Sequence, residues 1–270
     1  MNKLALFSVP RSGSTWLGEI INSSPDIIYR FQPNFAYSFD NKLHENSNED
    51  DINTFFKELL QCNDEFVNGR LSISGKKRNL NFYKYNNAST LFFKETHFLN
   101  VIENLLIKSD TKVIGLVRSP FAVINSWIKI PKEFHPDWKV KEEWKKASKK
   151  NQGKASHFFG YEKWKEACFL FLALKEKFPN RFYIVNYKDM LNNPTLETKN
   201  LFEFCELELT YQTKLFLKES SSKNSKDEYG VFKSKLNDLD WKNNLPTYII
   251  KDIKADIDFM KLKKQFKWKT

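Results

Sequence analysis

Cysteine is scarce in this chain. Cys62, Cys168 and Cys205 are three in 270 residues, odd in number and widely spaced. That fits reduced structural thiols in a cytoplasmic protein better than a disulfide framework or a metal site. No apolar run reaches the roughly eighteen residues of a membrane-spanning helix, so none is expected. The N-terminus carries one Lys and passes directly into a short apolar run and a polar loop, which is not the pattern of a secretory signal. The Walker A spacing G-x-x-x-x-G-K-[ST] is also absent, and with it the expectation of an ordinary Mg-dependent NTPase.

What is present is length and positive charge. At 270 residues the sequence is long enough for one large domain, 1–270, with a sizeable core. A formal charge of +11 suits an anionic partner: a nucleotide, a sulfated or phosphorylated acceptor, nucleic acid or a membrane surface. Charge alone does not choose among them.

The stretch Leu4 to Leu17, LALFSVPRSGSTWL, organises the rest. Leu4-Ala5-Leu6-Phe7 reads as a buried strand that breaks at Pro10, and a helix follows the turn Arg11-Ser12-Gly13-Ser14-Thr15 with Trp16 on it. First-turn N–H groups have no intrahelical partner and the macrodipole favours negative charge, so this is a preformed anion seat. Ser12, Ser14 and Thr15 add hydroxyls, Gly13 permits close backbone approach, and Arg11 supplies a fixed positive fork. A phosphate or sulfate belongs here. A Ser-rich turn between a core strand and a core helix is the plain alternative for this string by itself.

A second stretch has the same construction. Val113-Ile114-Gly115-Leu116-Val117 reads as a buried strand, Arg118-Ser119-Pro120 turns it, and a helix runs from Phe121 to Ile128 with Pro at its start. Arg118 stands at the strand end and Ser126, two helical turns on, points to the same face; an Arg that caps the strand and a Ser on a helix surface is the plain alternative for this string by itself.

Together these strings resemble the sulfotransferases that use 3′-phosphoadenosine 5′-phosphosulfate (PAPS). PRSGSTWL is similar to their 5′-phosphosulfate loop, and the Arg118/Ser126 spacing to their 3′-phosphate site. The resemblance implies an α/β fold of three layers, P-loop-like, with a mostly parallel sheet of about five strands flanked by helices. It implies sulfuryl transfer from PAPS to an acceptor hydroxyl or amine, 3′-phosphoadenosine 5′-phosphate (PAP) as product, and no metal. Arg11, Ser12, Gly13, Ser14, Thr15, Trp16, Arg118 and Ser126 are then cofactor-binding residues.

Three further strings match in part. Lys94-Glu95-Thr96-His97, at the exit of a predicted strand Ser89 to Lys94, resembles the family's Lys-Thr-His with one extra residue, so His97 carries over as general base and Glu95 is the substitute. Tyr187-Lys188-Asp189-Met190 resembles a Tyr-Glu-Asp-Leu element beside the nucleotide and makes Tyr187 a cofactor neighbour. Asp240-Trp241-Lys242-Asn243 resembles the family's terminal Gly-Asp-Trp-Lys-Asn. Aligned on it, Lys235 reaches the 3′-phosphate, with Lys233 as a neighbour, while Ser234 and Leu236 replace an Arg and a Gly. A Glu-Pro-Phe-like string of many members appears as Gln32-Pro33-Asn34-Phe35. Gln32 cannot usefully take a proton but can orient an acceptor.

Other segments complete the pattern. Asp26 to Phe31 and Arg181 to Tyr187 read as strands, Tyr161 to Phe178 and Thr195 to Cys205 as helices, and Ser220 to Trp241 as a Lys/Ser-rich loop. Thr247 to Met260 reads as one terminal helix outside the sheet. Segments 36–88 and 129–160 are variable, the second including a Lys-rich stretch with Trp138 and Trp144, read as a solvated helix or lid with His135 and His157 beside it. The expected partner is a glycan, lipid or small-molecule acceptor, not nucleic acid. A nucleotide kinase or NTPase-like enzyme, a non-catalytic polyanion or nucleic-acid binder, and a sulfotransferase relative that binds nucleotide without turnover remain alternatives.

Overall fold

A computed structural model describes residues 1–71, 75–78, 80–222 and 238–268. Five strands, β1 (Asn2–Phe7), β2 (Ile27–Phe31), β3 (Thr90–Glu95), β4 (Lys112–Val117) and β5 (Phe182–Asn186), form one sheet in the order β2-β3-β1-β4-β5. Every pairing is parallel. The expected sheet is therefore found, with each strand edge within a residue or two of its sequence reading.

The first seven helices in chain order are α1 (Ser14–Asn22), α2 (Glu49–Gln61), α3 (Ile102–Lys108), α4 (Pro120–Ile128), α5 (Val140–Glu143), α6 (Ser148–Asn151) and α7 (Tyr161–Lys177). The remainder are α8 (Tyr187–Asn192), α9 (Pro194–Cys205), α10 (Tyr211–Ser222), α11 (Trp241–Asn244), α12 (Thr247–Ala255) and α13 (Ile257–Gln265). Strand alternation sends Leu4 and Leu6 of β1 to one face and Ala5 and Phe7 to the other. The first face packs against α1, α8, α9 and α10 through Leu17, Ile20, Met190, Leu201 and Phe216. The second packs against α2, α3, α4, α7, α12 and α13 through Phe55, Leu105, Phe121, Phe171, Ile249 and Leu262. These are the three layers, and the continuous apolar runs are what a sheet covered on both faces requires.

Two sequence readings need correction. The terminal helix is broken in two at Asp256, whose carboxylate accepts the N–H groups of Asp258 and Phe259 and so starts α13 afresh. Ser220, Ser221 and Ser222 belong to α10 and not to a loop.

The topology fixes where ligands go. From β1 the chain crosses to β2 at one edge, and from β4 to β5 at the other. The loops leaving the C-terminal ends of these two central neighbours therefore diverge, and the crevice between them is a topological switch point. Close packing beside it needs a glycine at 115. A Cβ there would lie 2.9 Å from both Phe171 and Phe182. Gly115→Ala is expected to lower unfolding free energy by about 1–3 kcal/mol through overpacking, measured by urea denaturation; an unchanged midpoint would contradict the packing described.

Candidate active site

The loop from Ser8 to Gly13 leaves β1 and delivers the chain to α1. It turns on two residues with positive φ, Arg11 at 69° and Gly13 at 93°. At Gly13 a Cβ would lie 2.3 Å from the ring of Tyr187, so only glycine fits. Among the described residues no side chain caps α1. Its first-turn N–H groups and the positive end of its dipole stand at the switch point. Ser12 and Ser14 are buried here, and Thr15 is half-buried.

The loop after β4 meets this one. Arg118 Nη1 donates to the carbonyl oxygen of Arg11 at 2.9 Å, across 107 residues of sequence. Arg11 Nε donates to Ser126 Oγ of α4 at 3.2 Å. The Arg118 guanidinium lies 4.6 Å from the centre of the Tyr187 ring. Trp16 packs edge-on against Tyr187 at 5.9 Å and donates its indole N–H to Ser220 Oγ at 3.0 Å. Arg11, Gly13, Trp16, Arg118, Ser126 and Tyr187 thus form one cluster. Each arginine also has a carboxylate: Asp238 Oδ1 accepts from Arg118 Nε at 2.7 Å, and Glu133 Oε1 lies 3.4 Å from Arg11 Nη1. Lys235, with Lys233, Ser234 and Leu236, lies outside the described residues.

His97 sits beyond the end of β3. One face of its imidazole stacks on Phe35 at 5.0 Å, and its edges meet His157 at 5.2 Å and Phe159 at 5.6 Å. Burial, reinforced by His157, Lys150 and Lys94, pushes its pKa down to about 3, so the ring is neutral. Thr96 Oγ1 donates to Gln32 Oε1 at 2.5 Å and stands 3.4 Å from His97 Nδ1. With its proton committed to Gln32, this hydroxyl accepts from Nδ1–H and leaves Nε2 as the proton acceptor. Gln32 is buried and its Oε1 accepts from Thr96, so it helps position the Thr96–His97 pair, while its Nε2 has no hydrogen-bond partner among the described residues.

Glu95 has another occupation. Its Oε1 accepts the N–H of Asn34 at 2.7 Å, which anchors the short 3-10 turn Pro33–Phe35 that carries Phe35. Burial raises its carboxyl to about 8, against the pull of the Asn34 N–H and the Lys94 ammonium. Lys94 lies 4.3 Å over the Phe31 ring and is lowered by burial to about 7.

The Lys-rich cover is anchored and not merely solvated. Trp144 is buried and stacks on Tyr161 at 5.7 Å, and Phe134, Phe158 and Phe159 are buried with it. Its tryptophans serve packing, which removes the aromatic half of the nucleic-acid reading. His157 reaches the site, whereas His135 is exposed beside Asp137.

The sequence-family model for the sulfotransferase domain matches residues 2–267. The chain belongs to the sulfotransferase domain family. It is a sulfotransferase, in a fold shared with solved members. Mouse sulfotransferase SULT7A1, complexed with PAP, superposes at TM-score 0.57 and 14% identity, over 98% of this chain and 88% of that one. The sulfotransferase domain of the Synechococcus PCC 7002 olefin synthase superposes at 0.53 and 15% identity, over 100% of this chain and 96% of that one. A sulfotransferase from Alicyclobacillus acidocaldarius gives 0.51 and 10%, over 100% and 97%. No curated protein sequence matches the chain. Among the described residues no helix is long and apolar enough to cross a membrane, and no cluster of His, Cys, Asp or Glu could hold a metal ion.

Sequence reasoning missed Phe35, Glu133 and Asp238 as site residues, and named His157 only alongside His135 as a residue able to contact an acceptor. Phe35 had a signal, since it closes the Gln-Pro-Asn-Phe string. Glu133 and Asp238 had none, because each meets its arginine across 120 residues or more.

The buried His97 makes the fold acid-sensitive in a predictable window. An unfolded His takes a proton near 6.5, whereas His97 in the fold holds out to about 3. The unfolded state therefore binds more protons between these values, and stability falls as pH drops from 6.5 towards 3. His97→Phe should abolish a loss on the order of 2 kcal/mol by pH 5, read from urea unfolding at pH 7 and pH 5. An equal loss in wild type and variant would contradict the buried, neutral imidazole.

Proposed function

We propose that this sulfotransferase moves the sulfuryl group of PAPS to a hydroxyl or amine of a glycan, lipid or small-molecule acceptor and releases PAP. The observation that carries the reading is the hydrogen-bonded meeting of Arg11, Arg118 and Ser126 at the switch point, beside the uncapped start of α1. Two anion seats next to each other suit a nucleotide charged at both ends: the 5′-phosphosulfate on the loop Arg11 to Thr15, the 3′-phosphate on Arg118 and Ser126. Tyr187 and Trp16 supply aromatic surface beside them. The chain works as one sulfotransferase domain, with 36–88 and 129–160 on the acceptor side. Its three cysteines are free, in keeping with a cytoplasmic enzyme.

The mechanism is in-line displacement at sulfur. The acceptor oxygen attacks, its proton passes to His97 Nε2, and the bond between sulfur and the 5′-phosphate oxygen breaks with its electrons going to that oxygen. Charge grows on the leaving oxygen and on the sulfuryl oxygens, where Arg11, the Ser14 and Thr15 hydroxyls and the α1 N-terminus are already oriented. Arg11 acts as an electrostatic clamp and not as an acid, because a guanidinium does not give up its proton near neutrality. Gln32 and Thr96 keep the imidazole in the receiving tautomer.

His97→Ala should lower turnover by about 10² to 10⁴ while nucleotide affinity stays intact. Unchanged turnover would move the base role to Glu95 or elsewhere. Arg118→Ala should instead weaken PAP binding by about 10- to 100-fold, the worth of charged hydrogen bonds. Affinity equal to wild type, measured by calorimetry, would remove Arg118 from the 3′-phosphate seat.

A further inference from the structure

Both arginines assigned to the nucleotide's anionic ends already hold carboxylates. Glu133 lies against Arg11 and Asp238 against Arg118, and all four side chains are largely buried, between 12% and 17% exposed. The Asp238 contact is the closer. Arg118 uses Nε for Asp238 and Nη1 for the Arg11 carbonyl, while its plane rests on Tyr187.

Asp238 is held where it can compete. Three residues on, Trp241 is buried and stacks on Phe121 at 4.4 Å and 20° between planes. Phe121 belongs to α4, the helix that follows Arg118 directly. Lys242 N–H donates to the Leu239 carbonyl at 2.9 Å and closes the intervening turn. The carboxylate is therefore tethered to the element that carries its partner, at high effective concentration for Arg118.

We infer that Asp238 is an internal stand-in for the nucleotide's 3′-phosphate, holding Arg118 while the seat is empty and retaking it as PAP leaves. The inference rests on the assignment of Arg118 to that phosphate. A dianionic phosphate outbids a single carboxylate for the guanidinium, so PAPS still enters. On departure the exchange of one anion for another spares Arg118 a stage as an unpaired, largely buried cation, the costly state for such a group. Asp238 thereby loosens product binding and speeds product release. A nucleotide without a 3′-phosphate has no need to displace it.

Asp238→Asn keeps the shape and removes the charge. We expect it to bind PAP at least tenfold more tightly than wild type, mostly through slower dissociation, with ADP affinity unchanged within twofold. Asp238→Ala should do the same, which guards against an effect peculiar to the amide. The experiment is stopped-flow displacement of PAP and of ADP from the full chain, wild type and both variants, followed by tryptophan fluorescence. If wild type binds PAP no better than ADP, the PAPS reading itself falls. If wild type prefers PAP but both variants release it at the wild-type rate or faster, Asp238 is not a stand-in. Equal tightening of PAP and ADP would likewise overturn the 3′-phosphate role.

Discussion

The side-by-side pairing of β1 with β4 is the constraint on which the rest depends. Phe7 stands opposite Gly115 in this parallel pair, so the two chains leave the sheet together at its C-terminal edge and diverge to opposite sides. Any residues placed in those two loops must meet. The sequence places there a positive-φ turn with Arg11 and Gly13 on one side and Arg118 with Ser126 on the other. Neither stretch alone is more than half an anion site. The sheet makes them one, and the requirement for glycine at 115 shows how tightly the layers close beneath them.

The chemistry assigned to the site is electrostatic throughout. In that assignment oriented N–H groups, hydroxyls and arginines meet the growing charge, and preorganisation of this kind costs no rearrangement at the moment of reaction. The acceptor side is arranged differently. His97 is enclosed by Phe35, His157 and Phe159 and kept neutral by burial, and Thr96 links it to Gln32. Glu95, two residues before His97, holds the turn that carries Phe35 through one carboxylate oxygen.

Much of this was legible in the residues. Strands such as Leu4 to Phe7 and Val113 to Val117 are continuous apolar runs ended by Pro or Arg-Ser-Pro, and such signals are local. The 5′ loop and the Arg118/Ser126 spacing are local too. What could not be read was set by tertiary contact. Asp238 and Glu133 look like ordinary surface carboxylates until the fold brings them to arginines across 120 and 122 residues. The Lys-rich cover read as solvated because its lysines outnumber its aromatics, yet Trp144, Phe158 and Phe159 fix it to the core. The terminal helix was misread because Asp256 sits inside an apolar period and its capping role shows only in the hydrogen bonds it accepts.

The central claim is that two adjacent anion seats hold the two ends of one nucleotide. Calorimetric titration of the full chain with PAP and with ADP, in metal-free buffer, tests it most directly. Tight binding that depends on the 3′-phosphate is expected. Equal affinity for the two nucleotides would contradict it.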